Sequence, residues 1–174
     1  NVEALTEASK GCDGVFHIAA KAGIWGPYSD FFAANVEGTR NVLQACRANG
    51  IGRLVYTSTP SVVHTGSDIE GADESLPYRS DWAGAEYPRS KALAEQEVLR
   101  AAGPELSTVA LRPHLIWGPG DRHLVGRLVD RSRQGRLRRV GDGTNRIDML
   151  YVDNAADAHL QAAAALDPGA RVCG

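Results

Sequence analysis

The chain has 174 residues, 43% hydrophobic and 23% charged, with a formal net charge of −2. That is the composition of a globular protein with a real core, not of a disordered or fibrous chain. The charge balance gives no reason to propose nucleic acid or an anionic membrane as partner, and no apolar run approaches the roughly 18 to 20 residues of a membrane helix. Cys12, Cys46 and Cys173 are widely separated and form no CxxC pair. They read as reduced thiols of a cytoplasmic protein, more as buried small residues than as ligands. The chain starts at Asn1 without a methionine and stops at Gly174 where an apolar segment is beginning, which reads as an internal piece of a longer protein.

Asn1 to Lys10 has helical spacing (Val2, Leu5, Ala8) and ends at Gly11. Gly14 to Ala20 is a short apolar run suited to a strand buried on both faces. Lys21 to Ser29, with Gly23, Gly26 and Pro27, reads as a loop carrying Trp25 and Tyr28. A helix follows from about Asp30 to Asn49, its apolar positions Phe32, Val36, Leu43 and Cys46 at spacings of four, seven and three, with Gly50 ending it. Arg53 to Ser58 is a second buried strand. Thr59 to Ala83 is a polar connection long enough to suggest function. A helix from about Gly84 to Ala102 leads to a strand over Ser107 to Leu111 and a turn at Gly118 to Gly120. A helix from Arg122 to Gln134, strands at Leu137 to Val140 and Asp148 to Val152, and a last helix from Asn154 to Leu166 complete the order. Strands alternating with helices predict an α/β protein with a parallel sheet.

On the helix after the long connection stands Tyr87-Pro-Arg-Ser-Lys91. Four residues is just over one turn, so the phenol and the ammonium project from one face. A nearby cation favours the phenolate and should lower the Tyr87 pKa toward the range useful for acid/base work. A surface tyrosine and a solvated lysine spaced by chance is the plain alternative. In an open parallel sheet, ligands bind beyond the carboxyl ends of the strands. Ala19 and Ala20 end the first strand, where small side chains admit a flat ligand, or are simply core alanines. Ser58 and Thr59 end the second, where a hydroxyl can bond a substrate oxygen or merely cap a loop.

Val15-Phe-His-Ile-Ala-Ala20, Asn35-Val-Glu-Gly-Thr39, Val55-Tyr-Thr-Ser-Thr59, Tyr87-Pro-Arg-Ser-Lys91, Leu111 to Pro119 and Tyr151-Val-Asp-Asn154 occur in this order. Together they resemble the extended, atypical branch of the short-chain dehydrogenase/reductase superfamily. The resemblance implies a partial doubly wound Rossmann-type parallel sheet with the beginning of a substrate-binding lobe. Residues 1–113 would be the later part of the dinucleotide-binding domain, and 114–174 substrate-lobe elements with a returning strand and helix. It implies NAD or NADP as cofactor and Tyr87 as the acid/base, with Lys91 holding the nicotinamide ribose. Thr59 would orient the substrate oxygen, with Ser58 as second choice, and Asn35 would be a structural or proton-relay residue. Ala19, Ala20, Pro113 and His114 would line the cofactor. The glycine-rich phosphate turn of such proteins and the residue selecting NAD over NADP are not in this sequence, so the chain alone is expected not to turn over.

Within that superfamily, the loop Ala22 to Tyr28, the stretch Tyr56 to Val63 and Gly141-Asp-Gly-Thr-Asn145 are most similar to the 3β-hydroxysteroid dehydrogenase group. The resemblance implies reduction of a ketone, or oxidation of a secondary alcohol, on a large apolar substrate such as a 2-alkyl-3-oxoalkanoate or a 3β-hydroxysteroid. Trp25 and Tyr28 would wall its pocket, or else anchor their loop to the body. A sugar-nucleotide epimerase or dehydratase is the alternative. Against it, the Arg-Asp pair such enzymes carry before the Tyr-Val-Asp strand is Ile147-Asp148 here. Arg146 stands one residue early and, in a strand, on the opposite face. The run Arg131, Arg133, Arg136, Arg138 and Arg139 reads as a solvated helix end and turn rather than a phosphate site. A non-catalytic dinucleotide sensor is a third reading, disfavoured by the intact Tyr-Lys pair. The histidines show no metal-ligand spacing, so no metal is expected. A homodimer is compatible with the sequence.

Overall fold

The structure, a computed structural model, describes residues 1–23, 25–121, 124–139 and 141–166. They form two compact units, one of residues 1–112 with 159 onward, the other of residues 113–158.

In the first unit, helix α1 (Val2–Ala8) is capped by the Asn1 side chain. Strands β1 (Val15–His17), β2 (Arg53–Thr57) and β3 (Ser107–Leu111) form a wholly parallel sheet in the order β1-β2-β3. Between β1 and β2 run α2 (Tyr28–Phe31), a π-helical turn (Phe32–Glu37) and α3 (Gly38–Asn49). Gly50 (φ +64°) turns α3 off in the left-handed conformation, and the Ile51 amide returns to the Cys46 carbonyl at 2.9 Å. After β2 come a 3₁₀ turn (Pro60–Val62) and α4 (Glu86–Arg100). Pro88 is tolerated in α4 because amides of the first turn have no helical partner.

The core lies between one sheet face and helices α3 and α4. Leu54 and Tyr56 of β2 pack with Leu43 and Cys46 of α3, Ala94 and Val98 of α4, and Ile51 and Leu106. Each buried leucine contributes about 1.5–3 kcal/mol. A smaller cluster of Val62, Val63 and Ala92, covered by Leu76, Tyr78 and Trp82, fastens the long connection to α4.

The second unit holds β4 (Ile116–Trp117) paired in parallel with β5 (Leu150–Tyr151), and α5 (Val125–Arg133). Helix α6 (Val152–Ala165) starts in this unit and ends in the first.

Several expectations are corrected. Within the three-stranded sheet of these residues β1 lies at one edge, with Phe16 44% exposed. No strand forms over residues 137–139, a stretch of exposed arginines around Leu137, and Val140 lies outside the described residues. The short strand β4 was not foreseen. Arg146 and Ile147 precede β5 in irregular chain, so the opposite-face argument does not apply to them. Cys12 is exposed while Cys46 is buried, and Cys173 lies outside the described residues. Among the described residues no helix is long and apolar enough to cross a membrane.

Candidate active site

The site grows from the carboxyl end of β2 and the first turns of α4. Thr59 caps the 3₁₀ turn, its Oγ1 accepting from the Ser61 amide at 3.3 Å and lying 3.1 Å from Ser61 Oγ. Its hydroxyl also acts on the Tyr87 phenol, favouring the phenolate. Tyr87 is half-buried at the start of α4.

Lys91, one turn on, is almost fully buried. Its Nζ donates to the Thr57 carbonyl at 2.7 Å and lies 4.1 Å from the Tyr56 ring centroid. Burial lowers its pKa to about 8, with the Glu95 charge pulling the other way. It remains mostly an ammonium at neutral pH. The Tyr87 pKa is raised by burial, with the Thr59 hydroxyl opposing the rise. This reverses the expected lowering: Lys91 is committed to the Thr57 carbonyl and the Tyr56 ring, and desolvation of the phenol wins.

Asn35 sits in the π-helical turn, buried at 1% exposure. The turn's wider winding shows in the Gly38 amide, which bonds the Ala33 carbonyl five residues back. The Asn35 Oδ1 accepts from the Lys21 amide at 2.7 Å, and Nδ2 donates to the Lys21 carbonyl at 3.0 Å and to Ser90 Oγ at 2.9 Å. Ser90 passes its proton to the Tyr87 carbonyl at 2.8 Å. On the other side, the Thr39 hydroxyl donates to the Asn35 carbonyl at 2.6 Å, so His17 Nε2, 2.8 Å from that hydroxyl, must donate to it. Burial, then the Lys91 charge, lowers the His17 pKa to about 4, which keeps the ring neutral. The loop after β1, the π-helical turn and the Tyr87 backbone are thereby joined by one chain of hydrogen bonds.

Ala19 and Ala20 lie exposed in the loop beyond β1, at the carboxyl end of the sheet. Ser58 is buried; its amide bonds the Leu111 carbonyl at 2.6 Å, and its hydroxyl has no partner among the described residues. Tyr28 is half-buried under the Arg89 guanidinium, 4.3 Å from its ring centroid. Trp25 is 88% exposed, so it forms no pocket wall in this structure. Pro113 and His114 belong to the second unit, where the Leu115 amide donates to His114 Nδ1 at 3.0 Å.

The sequence reading had not singled out Ser90, Tyr56, Tyr78, Glu95 or the role of Thr57. Ser90 lies inside the Tyr-Lys motif, and Glu95 repeats the four-residue step beyond Lys91; both signals were available. Tyr78 could be found only from the fold.

A parallel sheet whose carboxyl end carries a hydroxyl beside a tyrosine-lysine helix defines a Rossmann-type protein of the extended short-chain dehydrogenase/reductase class. The chain belongs to the 3-beta hydroxysteroid dehydrogenase/isomerase family, which matches residues 1–174. It is 58% identical over 175 residues to the 2-alkyl-3-oxoalkanoate reductase of Stenotrophomonas maltophilia, covering 99% of this chain and 52% of that protein. It is 38% identical to the decarboxylating sterol-4-alpha-carboxylate 3-dehydrogenase of Mus musculus, over 100% of this chain and 49% of that one. Among solved structures, MoeE5 in complex with UDP-glucose and NAD superimposes with a TM-score of 0.81 at 29% identity, over 97% of this chain and 58% of that one. The chain thus spans about half the length of the curated relatives it matches.

Proposed function

We propose that the intact protein is an NAD(P)-dependent oxidoreductase that reduces a ketone, or oxidises a secondary alcohol, on a large apolar substrate. A 2-alkyl-3-oxoalkanoate is the first candidate and a 3β-hydroxysteroid the second. The high identity to an oxoalkanoate reductase supports the substrate class, and Tyr87 one helical turn from buried Lys91, whose Nζ is held by the Thr57 carbonyl two residues before Thr59, carries the chemistry.

The residues present fit the nicotinamide-ribose end of a dinucleotide. Lys91 holds three N–H groups, of which Thr57 takes one; the buried Ser58 hydroxyl is unpartnered; and the backbone at Ala19 and Ala20 is open. The bound dinucleotide supplies the hydride for reduction or accepts it for oxidation. Tyr87, kept protonated by burial, gives its proton to the substrate oxygen as the carbonyl carbon is reduced. Thr59 orients that oxygen, and the Lys91 ammonium stabilises the phenolate left behind. Asn35 holds the Lys21 backbone and, through Ser90, the Tyr87 backbone in place. Tyr28, half-buried beside Arg89, borders the substrate.

The test is Tyr87→Phe in the intact protein. Turnover of a 2-alkyl-3-oxo acid should fall by about 10²–10⁴-fold, while binding of the reduced dinucleotide, followed by its fluorescence, stays within a few-fold. Undiminished turnover would refute the assignment. So would a wild type that turns over a sugar nucleotide but no apolar ketone, the outcome expected if the likeness to MoeE5 extends to substrate.

A further inference from the structure

Among the described residues one carboxylate and one ammonium are buried, and they sit four apart on α4: Glu95 at 1% exposure and Lys91 at 2%. That spacing places them on the same helix face. The Lys91 ammonium is given to the Thr57 carbonyl. The Glu95 carboxylate is gripped from two other parts of the chain. Tyr78, in the long connection, donates its hydroxyl to Oε1 at 2.8 Å. Arg112, just past β3, donates Nη2 to Oε1 at 2.6 Å and Nε to Oε1 and Oε2 at 3.1 and 3.3 Å. The Arg112 guanidinium also lies 5.5 Å from the Tyr78 ring centroid. A surface ion pair could be incidental; a buried carboxylate with this many donors is a built feature.

Resting on the redox reading above, we propose that Glu95 is a positioning residue for that site. Its carboxylate, clamped by Arg112 and Tyr78, keeps the neighbouring Lys91 ammonium charged and pins the long connection to the helix that carries Tyr87.

The charges around the pair decide what each change should do. Lys91 faces His17 from β1, Tyr56 from β2 and Glu95 from its own helix, with Tyr87 one turn before it; His159 of α6 reaches the Thr57 side chain at 2.6 Å. Glu95 faces Tyr78, Arg112, Tyr56 and Lys91. His17 is neutral at pH 7, and burial raises the pKa of Tyr56, Tyr87 and Tyr78, the last to about 12. The ionised groups of this set are therefore Lys91, Glu95 and Arg112. Burial drives Lys91 toward the neutral amine and Glu95 resists it, leaving its pKa at about 8. Without Glu95, two cations share a buried cluster, and only the lysine can shed its proton. Without Arg112, the Glu95 charge acts on Lys91 unopposed.

In the intact protein, ¹³Cε-lysine labelling, with the Lys91 resonance assigned by its loss in Lys91→Arg, follows Lys91 by NMR titration without needing turnover. Glu95→Gln should lower the Lys91 midpoint by about one unit or more. Arg112→Gln should raise it, and the double variant should return it toward the wild-type value. If Glu95 were only a packing element, both single variants would admit water and move the midpoint upward. That result, or an unmoved midpoint in Glu95→Gln, overturns the proposal. Should Glu95→Gln fail to fold, the double variant decides: a midpoint back near the wild-type value supports the proposal, and one at or above that of Arg112→Gln overturns it. In the intact protein the alkaline limb of kcat/KM should move down in Glu95→Gln by the same amount as the midpoint. Lack of turnover in every variant, wild type included, would instead sink the redox reading while the Lys91 shifts still judge this one.

Discussion

Replacing Asn35 tests the hydrogen-bond chain that places the Tyr87 backbone. Asn35→Ala removes three side-chain hydrogen bonds, to the Lys21 amide, the Lys21 carbonyl and Ser90 Oγ. Each contributes about 0.5–1.5 kcal/mol net. Lys21 is half-buried, so water can partly replace its two bonds, whereas Ser90 is fully buried. The expected loss is therefore about 2–4 kcal/mol in urea unfolding. Asn35→Asp sharpens the test. It keeps the acceptor for the Lys21 amide but sets an oxygen against the Lys21 carbonyl, where Nδ2 now donates at 3.0 Å. Only the protonated acid can donate there, so its folded-state pKa rises above the unfolded value of about 3.9. The stability this donor supplies is complete below that value and is lost as pH rises through the raised folded pKa. The quantity to follow is the difference between Asn35→Asp and wild type from pH 4 to 8. A difference that does not grow with pH, or an Asn35→Ala cost below about 0.5 kcal/mol, would show that these bonds do not hold the site.

His17 has the opposite sign. Its folded pKa is about 4 against about 6.5 unfolded. Its contribution is complete above the unfolded value and declines as pH falls toward the folded one, by about 3 kcal/mol in all. His17→Gln should flatten that acid limb in urea midpoints taken from pH 7.5 to 4.5, and an unchanged slope would count against it. In the second unit, a Cβ on Gly118 would stand 2.5 Å from Val152 Cγ1. Gly118→Ala should cost about 1–3 kcal/mol, with Val152→Ala restoring most of it in thermal melts; a single variant as stable as wild type would refute the contact.

The parts of the fold legible in the sequence were those with a local cause. The spacing of Val36, Leu43 and Cys46, the glycine at position 50 and the β-rich run ending at Leu111 each specify their element within a few residues. What escaped was set by distant partners. The π-helical turn is invisible to a 3.6-residue pattern, since Asn35 is drawn inward by Lys21 and Ser90 and not by hydrophobicity. The spacing of Tyr87 and Lys91 places both on one helix face, while their roles come from the family resemblance. The sign of the Tyr87 shift was missed because spacing gives proximity, whereas desolvation depends on tertiary packing.

That sign bears on how the site is set at rest. A lysine free to approach the phenol would favour the phenolate, the form needed to take a proton from an alcohol. Here the ammonium is held by the Thr57 carbonyl and the Tyr56 ring, and burial keeps the phenol protonated. For the proposed reaction, the resting constellation would already be the acid that ketone reduction needs, and the alcohol-oxidising direction would first have to remove a proton that burial holds on. The buried Lys91 charge would then matter chiefly after proton transfer, when a phenolate forms in a setting too dry to support it unaided. In the proposal for Glu95, that carboxylate would serve the same end one turn further along the helix, by keeping the ammonium charged until it is required.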